Sequence, residues 1–286
     1  MDVEAIPDAT TFSAAAAPVL DRDRAANNLA LGILQVLVDR PGDYRESFFW
    51  VVRRGNEAVA AALRTPPYNL VLADPIEPAS VERLAQELVV SHPQLPGVTA
   101  NEPWGTRFAG DWTAATGSTA RASIGQGVYV LRTVYAPGPV SGAPRPATSE
   151  DRPLLELWMS AFEREALQAM TRDDRSTERA IDSRLGGAGS AGFSIWEDED
   201  RAVSLTGWAR IPGGARIGPV YTPPDDRGRG YASNLVAGVS GEMLSSGAEA
   251  CFLYTDLGNP TSNAIYRRIG YEQVAESLMI TFGSEE

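Results

Sequence analysis

Between Tyr135 and Pro146 the chain carries Pro137, Gly138, Pro139, Gly142, Pro144 and Pro146 in quick succession. Proline has no backbone N–H to donate and glycine weakens helix and strand alike, so no helix or sheet is expected to run through this stretch. It falls near the middle of 286 residues, a length that suits two domains of ordinary size. The chain is therefore divided into residues 1–138 and 143–286, joined by a linker.

Upstream, Leu29, Leu31, Ile33, Leu34, Leu37 and Val38 predict a largely buried helix over 27–38, ending before Pro41 and Gly42. Phe48–Val52 and Val59–Leu63 flank Arg54-Gly55-Asn56-Glu57 and read as a hairpin, followed by a strand over 68–73. Val81, Leu84, Ala85 and Leu88 then mark a helix over 79–90, and residues 128–134 alternate as a strand. Trp104, Arg107, Phe108 and Trp112 read as one amphipathic segment contributing to the core or lining a cleft.

Downstream the same order returns. A helix over 150–170 shows Leu154, Leu155, Trp158, Phe162 and Leu167 on one face. Strands are expected over 193–197, 202–209 and 216–221, then a helix over 231–244 that stops at Gly247, then a short buried strand over 250–255. The last helix is punctuated at both ends: Asn259 can cap it, Pro260 can take its first position, Arg267 and Arg268 suit its last turn, and Gly270 can end it.

The formal net charge of −12 argues against a nucleic-acid footprint or an anionic membrane surface, both of which select clustered positive charge. It would suit a cationic amine as substrate. One cysteine excludes an internal disulfide, and with one histidine no metal-ligand cluster is expected. The acidic start Met1-Asp2-Val3-Glu4 lacks the basic character of a secretory leader, so a cytoplasmic protein is expected, monomeric or homodimeric. Every basic residue is arginine, which removes lysine chemistry from consideration.

A loop from a strand into a helix offers free N–H groups and the positive end of the helix dipole, and glycines there admit the oxygens of a pyrophosphate. The pattern Arg-x-x-Gly-x-Gly/Ala occurs three times, beginning at Arg184, Arg210 and Arg227. Only the third, Arg227-Gly228-Arg229-Gly230-Tyr231-Ala232, follows an apolar strand and leads into a helix with Leu235, Val236, Val239 and Met243 on one face. Residues from Val220 to Ala232 resemble the acetyl-CoA-binding motif of the GNAT superfamily of N-acetyltransferases. Asn259 to Tyr271, with Tyr266 and Gly270-Tyr271, is similar to that superfamily's second signature block.

The resemblance implies an α/β (α+β) fold of two GNAT-like domains, each a mixed, mostly antiparallel sheet flanked by helices. It also implies acetyl-CoA as co-substrate and a primary amine, a small molecule, as acceptor in a ternary complex. Val220, Tyr221 and Thr222 would pair with the pantetheine arm, Gly228 to Ala232 would hold the pyrophosphate behind Arg227, and Asn259 would contact the pantetheine. Tyr266 would touch the cofactor and act as general acid. For the base, Glu165, Glu163 and Asp256 stay open. In the first half the corresponding loop reads Leu72-Ala73-Asp74-Pro75-Ile76-Glu77-Pro78-Ala79, with two acids and no glycine, and implies a degenerate domain. A non-catalytic CoA-binding regulatory module and an enzyme acting on a peptide or protein amine are the alternatives.

Overall fold

The computed structural model describes residues 1–166, 175–186 and 189–283. The chain forms two compact units: Met1–Val128 with Val274–Glu286, and Tyr129–Gln273. The first half runs β1 (Asp2–Ile6), α1 (Ala9–Leu20), α2 (Asn28–Asp39), β2 (Phe48–Arg54), β3 (Glu57–Arg64), β4 (Leu70–Leu72), α3 (Ala79–Ser91), β5 (Gly97–Asn101), α4 (Trp104–Thr116) and β6 (Thr119–Leu131). The second runs β7 (Ala143–Pro146), α5 (Arg152–Ala166), α6 (Ser176–Leu185), β8 (Ala191–Asp198), β9 (Arg201–Ile211), β10 (Gly214–Tyr221), α7 (Tyr231–Ser245), β11 (Ala250–Asp256), α8 (Pro260–Ile269) and β12 (Glu272–Gly283). One element order is used twice.

In the first unit the strands lie in the order β1-β2-β3-β4-β5-β12. All neighbours there are antiparallel except β4 and β5, which the α3 crossover makes parallel. β12 is not apparent from apolar pattern alone; it enters beside β5, with Ser277 opposite Asn101 and Thr281 opposite Gly97. Its Phe282 ring stacks 5.4 Å from Trp112 of α4, which is 1% exposed. Trp112 and Phe108 are therefore core, as the amphipathic pattern allows. Trp112→Ala is expected to cost about 3–5 kcal/mol, read by chemical denaturation, because a buried indole leaves a cavity its stacked neighbours cannot fill.

In the second unit the end of β6 stands beside β11, followed by β10, β9, β8 and β7. Tyr129 and Leu131 are fully buried among Leu235, Tyr266, Ile269 and Tyr271. β10 and β11 are parallel, joined by the α7 crossover; the other registered pairs are antiparallel.

Two expectations need correction. Ala143–Pro146, the end of the expected linker, is a strand paired with β8. Proline is tolerated there because β7 is an edge strand, with one side free of any ladder. The strand expected over 128–134 instead begins at Thr119 and ends at Leu131, since the polar and small residues 119–127 carry no apolar alternation. Of the helix expected over 150–170, Arg152–Ala166 forms and 167–170 lie outside the described residues, as does Gly187 of the Arg184 pattern. β1, α1, β5 and α6 are additional to the sequence reading. α1 is alanine-rich and contains Pro18, so no apolar stripe announces it, although Asp8 caps it by accepting from the Thr11 N–H at 2.9 Å. No helix is long and apolar enough to cross a membrane among the described residues.

Candidate cofactor and active site

β10 pairs with β9 from Gly214 opposite Ile211 to Tyr221 opposite Leu205, with a register shift between Ile217 and Val220. Gly218 lies in the shift at φ +133, a backbone conformation that side-chain-bearing residues rarely adopt. With β11 the pairing is registered only at Gly214–Ala250, Ala215–Cys251 and Arg216–Phe252. Past Arg216 the bulge carries β10 away from its parallel neighbour. From Ile217 to Tyr221 β10 has no registered partner on the β11 side, although the Gly218 and Tyr221 carbonyls each accept a side-chain bond at 3.3 Å, from Arg184 and Ser204; an extended chain could pair along this edge.

The turn Pro224–Asp226 leads from this edge to α7. Asp226 is 2% exposed, and its carboxylate accepts two bonds from Arg201 of β9 at 2.7 and 2.8 Å. Those bonds hold its carboxyl below the usual range. Gly230 caps α7 at φ 87, and the first backbone bond into the helix runs from Asn234 N–H to the Gly230 carbonyl at 3.1 Å. The N–H groups of Tyr231, Ala232 and Ser233 belong to the first turn, which has no intrahelical acceptors. Tyr231 is buried, and its hydroxyl donates to Asp198, which also accepts from Ser141. The loop is thus braced from below by Asp226 and Tyr231 while its backbone faces outward.

Asp226→Asn is expected to weaken an anion's grip on the loop about tenfold, because the amide keeps the shape but loses the charge that anchors Arg201. Calorimetric titration with acetyl-CoA reads this effect.

Arg227 does not extend into the mouth of the loop. Its Nε donates to the Thr222 carbonyl at 2.9 Å, its Nη2 to Glu165 at 2.6 Å, and its guanidinium lies 5.9 Å from the Tyr221 ring centre. Glu165, on α5, also accepts from the Tyr221 hydroxyl at 3.4 Å. Burial, then the charge of Glu165, pushes the Tyr221 phenol up. Tyr221 packs on Trp158, their ring centres 6.0 Å apart. The fold therefore gathers Tyr221, Thr222, Arg227 and Glu165 at one place. Arg229 stands within electrostatic reach of Asp198 and Asp226.

On the β11 side, Asn259 caps α8 through the Ser262 N–H at 3.0 Å. The Asp256 carboxylate accepts from Gly258 N–H at 2.7 Å, and Glu163 accepts from Thr177 at 2.6 Å. Tyr266 is 9% exposed, with its ring edge-on to Tyr271 at 5.9 Å. Its hydroxyl makes no hydrogen bond to any described residue. Burial pushes the phenol up to about 12, which keeps it protonated near neutrality.

Sequence reasoning missed Asn263, whose amide donates to the Asp256 and Asn259 carbonyls at 2.9 and 2.8 Å and whose oxygen accepts from Tyr129 at 3.2 Å. The spacing Asn259–Asn263, one helical turn, was the available signal. Arg201 carried none, since its partner Asp226 is 25 residues away.

Residues 196–280 match the family described as FR47-like protein. No curated protein matches the chain. Among solved structures, the chain is similar to a GCN5-related N-acetyltransferase from Sphaerobacter thermophilus, with TM-score 0.60 and 19% identity over 99% of this chain and 97% of that one. It is also similar to a tandem GNAT protein from the clavulanic acid biosynthesis pathway, with TM-score 0.60 and 15% identity over 100% of both chains. A GNAT-family acetyltransferase from Colwellia psychrerythraea aligns with TM-score 0.57 and 9% identity, again over 100% of both.

Proposed function

The chain has the fold of the GNAT N-acetyltransferases, and from that premise we propose that its second unit transfers an acetyl group from acetyl-CoA to a small-molecule primary amine. The observation that carries this reading is the departure of β10 from β11 after Arg216, followed in the chain by the glycine loop that caps α7. In this reading the pyrophosphate sits on the N–H groups from Gly228 to Ala232. The pantetheine arm runs back along Thr222, Tyr221 and Val220, replacing the missing strand partner, and the thioester lies near the closed end of the gap beside Gly218.

The amine, once deprotonated, attacks the thioester carbonyl carbon. As the tetrahedral intermediate collapses, the carbon–sulfur bond breaks and the sulfur leaves with the electron pair, taking a proton from the Tyr266 hydroxyl. The proton lost by the amine passes through water to Glu165, which Arg227 and Tyr221 hold at the acceptor side; Asp256 at the end of β11 is the other carboxylate open to that role. Asn259 shapes the pantetheine side of the gap by fixing the start of α8.

The first unit is proposed to have no cofactor site. At the end of its parallel pair, the Asp74 carboxylate accepts from the Asn101 amide at 2.8 Å, and the Asp74 N–H donates to Asn27 at 2.8 Å. Burial pushes the Asp74 carboxyl up. In this reading these side chains would stand where a pantetheine arm would have to lie, and the following loop lacks glycine.

Calorimetric titration with acetyl-CoA and free CoA, followed by a thiol-release screen over small amines and peptides, tests the reading. One bound acetyl-CoA per chain with thiol release on small amines is expected. Binding without release by any amine would shift the assignment to a regulatory CoA-binding module, and no binding would overturn it.

A further inference from the structure

β10 alternates in a way that leaves one cation unanswered. Ala215 and Ile217 face the core built with α7, so Arg216 between them faces the opposite side of the sheet, which Tyr221 shares with Trp158 of α5. Arg216 is half-buried, and its guanidinium lies 5.4 Å from the ring centre of Tyr254 on β11. No carboxylate among the described residues pairs with it; burial pulls its pKa down, and Tyr254 acts in the opposite direction. Nearby on the same face, Arg184 of α6 donates to the Gly218 carbonyl at 3.3 Å. A guanidinium partly withdrawn from water gains from an anion that can join it there.

Its position is specific. Arg216 is the last residue of β10 still registered with β11, two residues before Gly218, or about 7 Å along the strand. Under the transferase reading, on which this inference rests, the thioester lies beside Gly218. An amine attacking there from the α5 side, with an acid group one or two bonds from its nitrogen, places that group within reach of the guanidinium. We propose that Arg216 binds the carboxylate of the acceptor, and that the acceptor class is α-amino acids rather than simple cationic amines. The planar fork of arginine matches a carboxylate bidentately, which fixes the orientation of the attacking nitrogen as well as its affinity.

The test uses the full chain saturated with free CoA. The N-acetyl derivatives of alanine, serine, leucine and phenylalanine are each titrated against the corresponding N-acetyl amide, in wild type, Arg216→Gln and Arg216→Lys. At least one acid is expected to bind about 10- to 100-fold tighter than its amide in wild type. Arg216→Gln should erase that preference and Arg216→Lys restore part of it, with acetyl-CoA affinity as the control for folding. No carboxylate preference in any of the four pairs, or a preference that survives Arg216→Gln, overturns the proposal. Thiol release is measured in parallel with the free amino acids and their amides. Release that favours the amides leaves the transferase reading standing and removes this one. Product binding that depends on Arg216, without release from any amine, overturns the transferase reading and the acceptor assignment with it, and leaves only a carboxylate site at Arg216.

Discussion

Gly230→Glu is expected to raise the Kd for acetyl-CoA at least about a hundredfold while the protein stays folded. Gly230 sits at φ 87 as the cap of α7, and a Cβ placed there would stand 3.0 Å from Val140 Cγ1. A side chain in that left-handed conformation costs roughly 1–2 kcal/mol, small beside the ~5–15 kcal/mol that holds a typical domain. Binding should suffer more than folding because, on the proposed function, the new carboxylate would project where the first-turn N–H groups meet a pyrophosphate, and its charge would repel that anion. Calorimetry gives the affinity, and circular dichroism with a denaturant titration gives the fold. A folded variant that binds acetyl-CoA as wild type does would remove the phosphate site from this loop.

The second large effect is on turnover. Tyr266→Phe is expected to lower kcat by about 10²–10⁴-fold with acetyl-CoA affinity within about twofold of wild type. The ring stays against Tyr271, and because the hydroxyl has no partner among the described residues, its removal leaves no stranded donor or acceptor. The pH dependence follows from the direction of the shift. A phenol pushed up to about 12 carries its proton throughout the neutral range and would lose it only as pH rises through that value. Wild-type kcat should therefore show no alkaline fall from Tyr266 up to about pH 10, and any rise with pH below that belongs to the amine and its base. Stopped thiol-release assays across pH 6 to 10 measure both. A loss of less than about threefold would make Tyr266 a packing residue.

Much of the second unit was legible because its signals are local. The cap at Asn259, the proline at 260 and the left-handed Gly270 bound α8 as the sequence alone predicts. Gly228 and Gly230 take positive φ at the one Arg-x-x-Gly match that follows a strand and precedes a helix. In each case a few contiguous residues carry the whole physical reason: a missing Cβ, a fixed φ, a side-chain oxygen placed to accept an orphan N–H. The loop glycines were found, but the orientation of Arg227 was not. Its guanidinium is claimed by Thr222 and Glu165, and Glu165 lies 62 residues away in the chain.

What the chain order by itself determined about this protein is a repeated succession of helices and strands and one glycine loop in the second half that leads from a strand into a helix. Turn chemistry, caps and apolar spacing act over one or two turns of backbone, so contiguous sequence suffices to read them. Only the tertiary structure decided which edges those strands complete: β12 joins β5 in the first unit, and the end of β6 joins β11 in the second. It alone buried Asp226 against Arg201, joined Asp74 to Asn101 at the end of the first unit's parallel pair, and set Arg216 beside Tyr254 with no carboxylate partner among the described residues. Strand partners and ion pairs are chosen by the competition among all surfaces that must be buried at once, and that competition is settled between residues far apart in the chain.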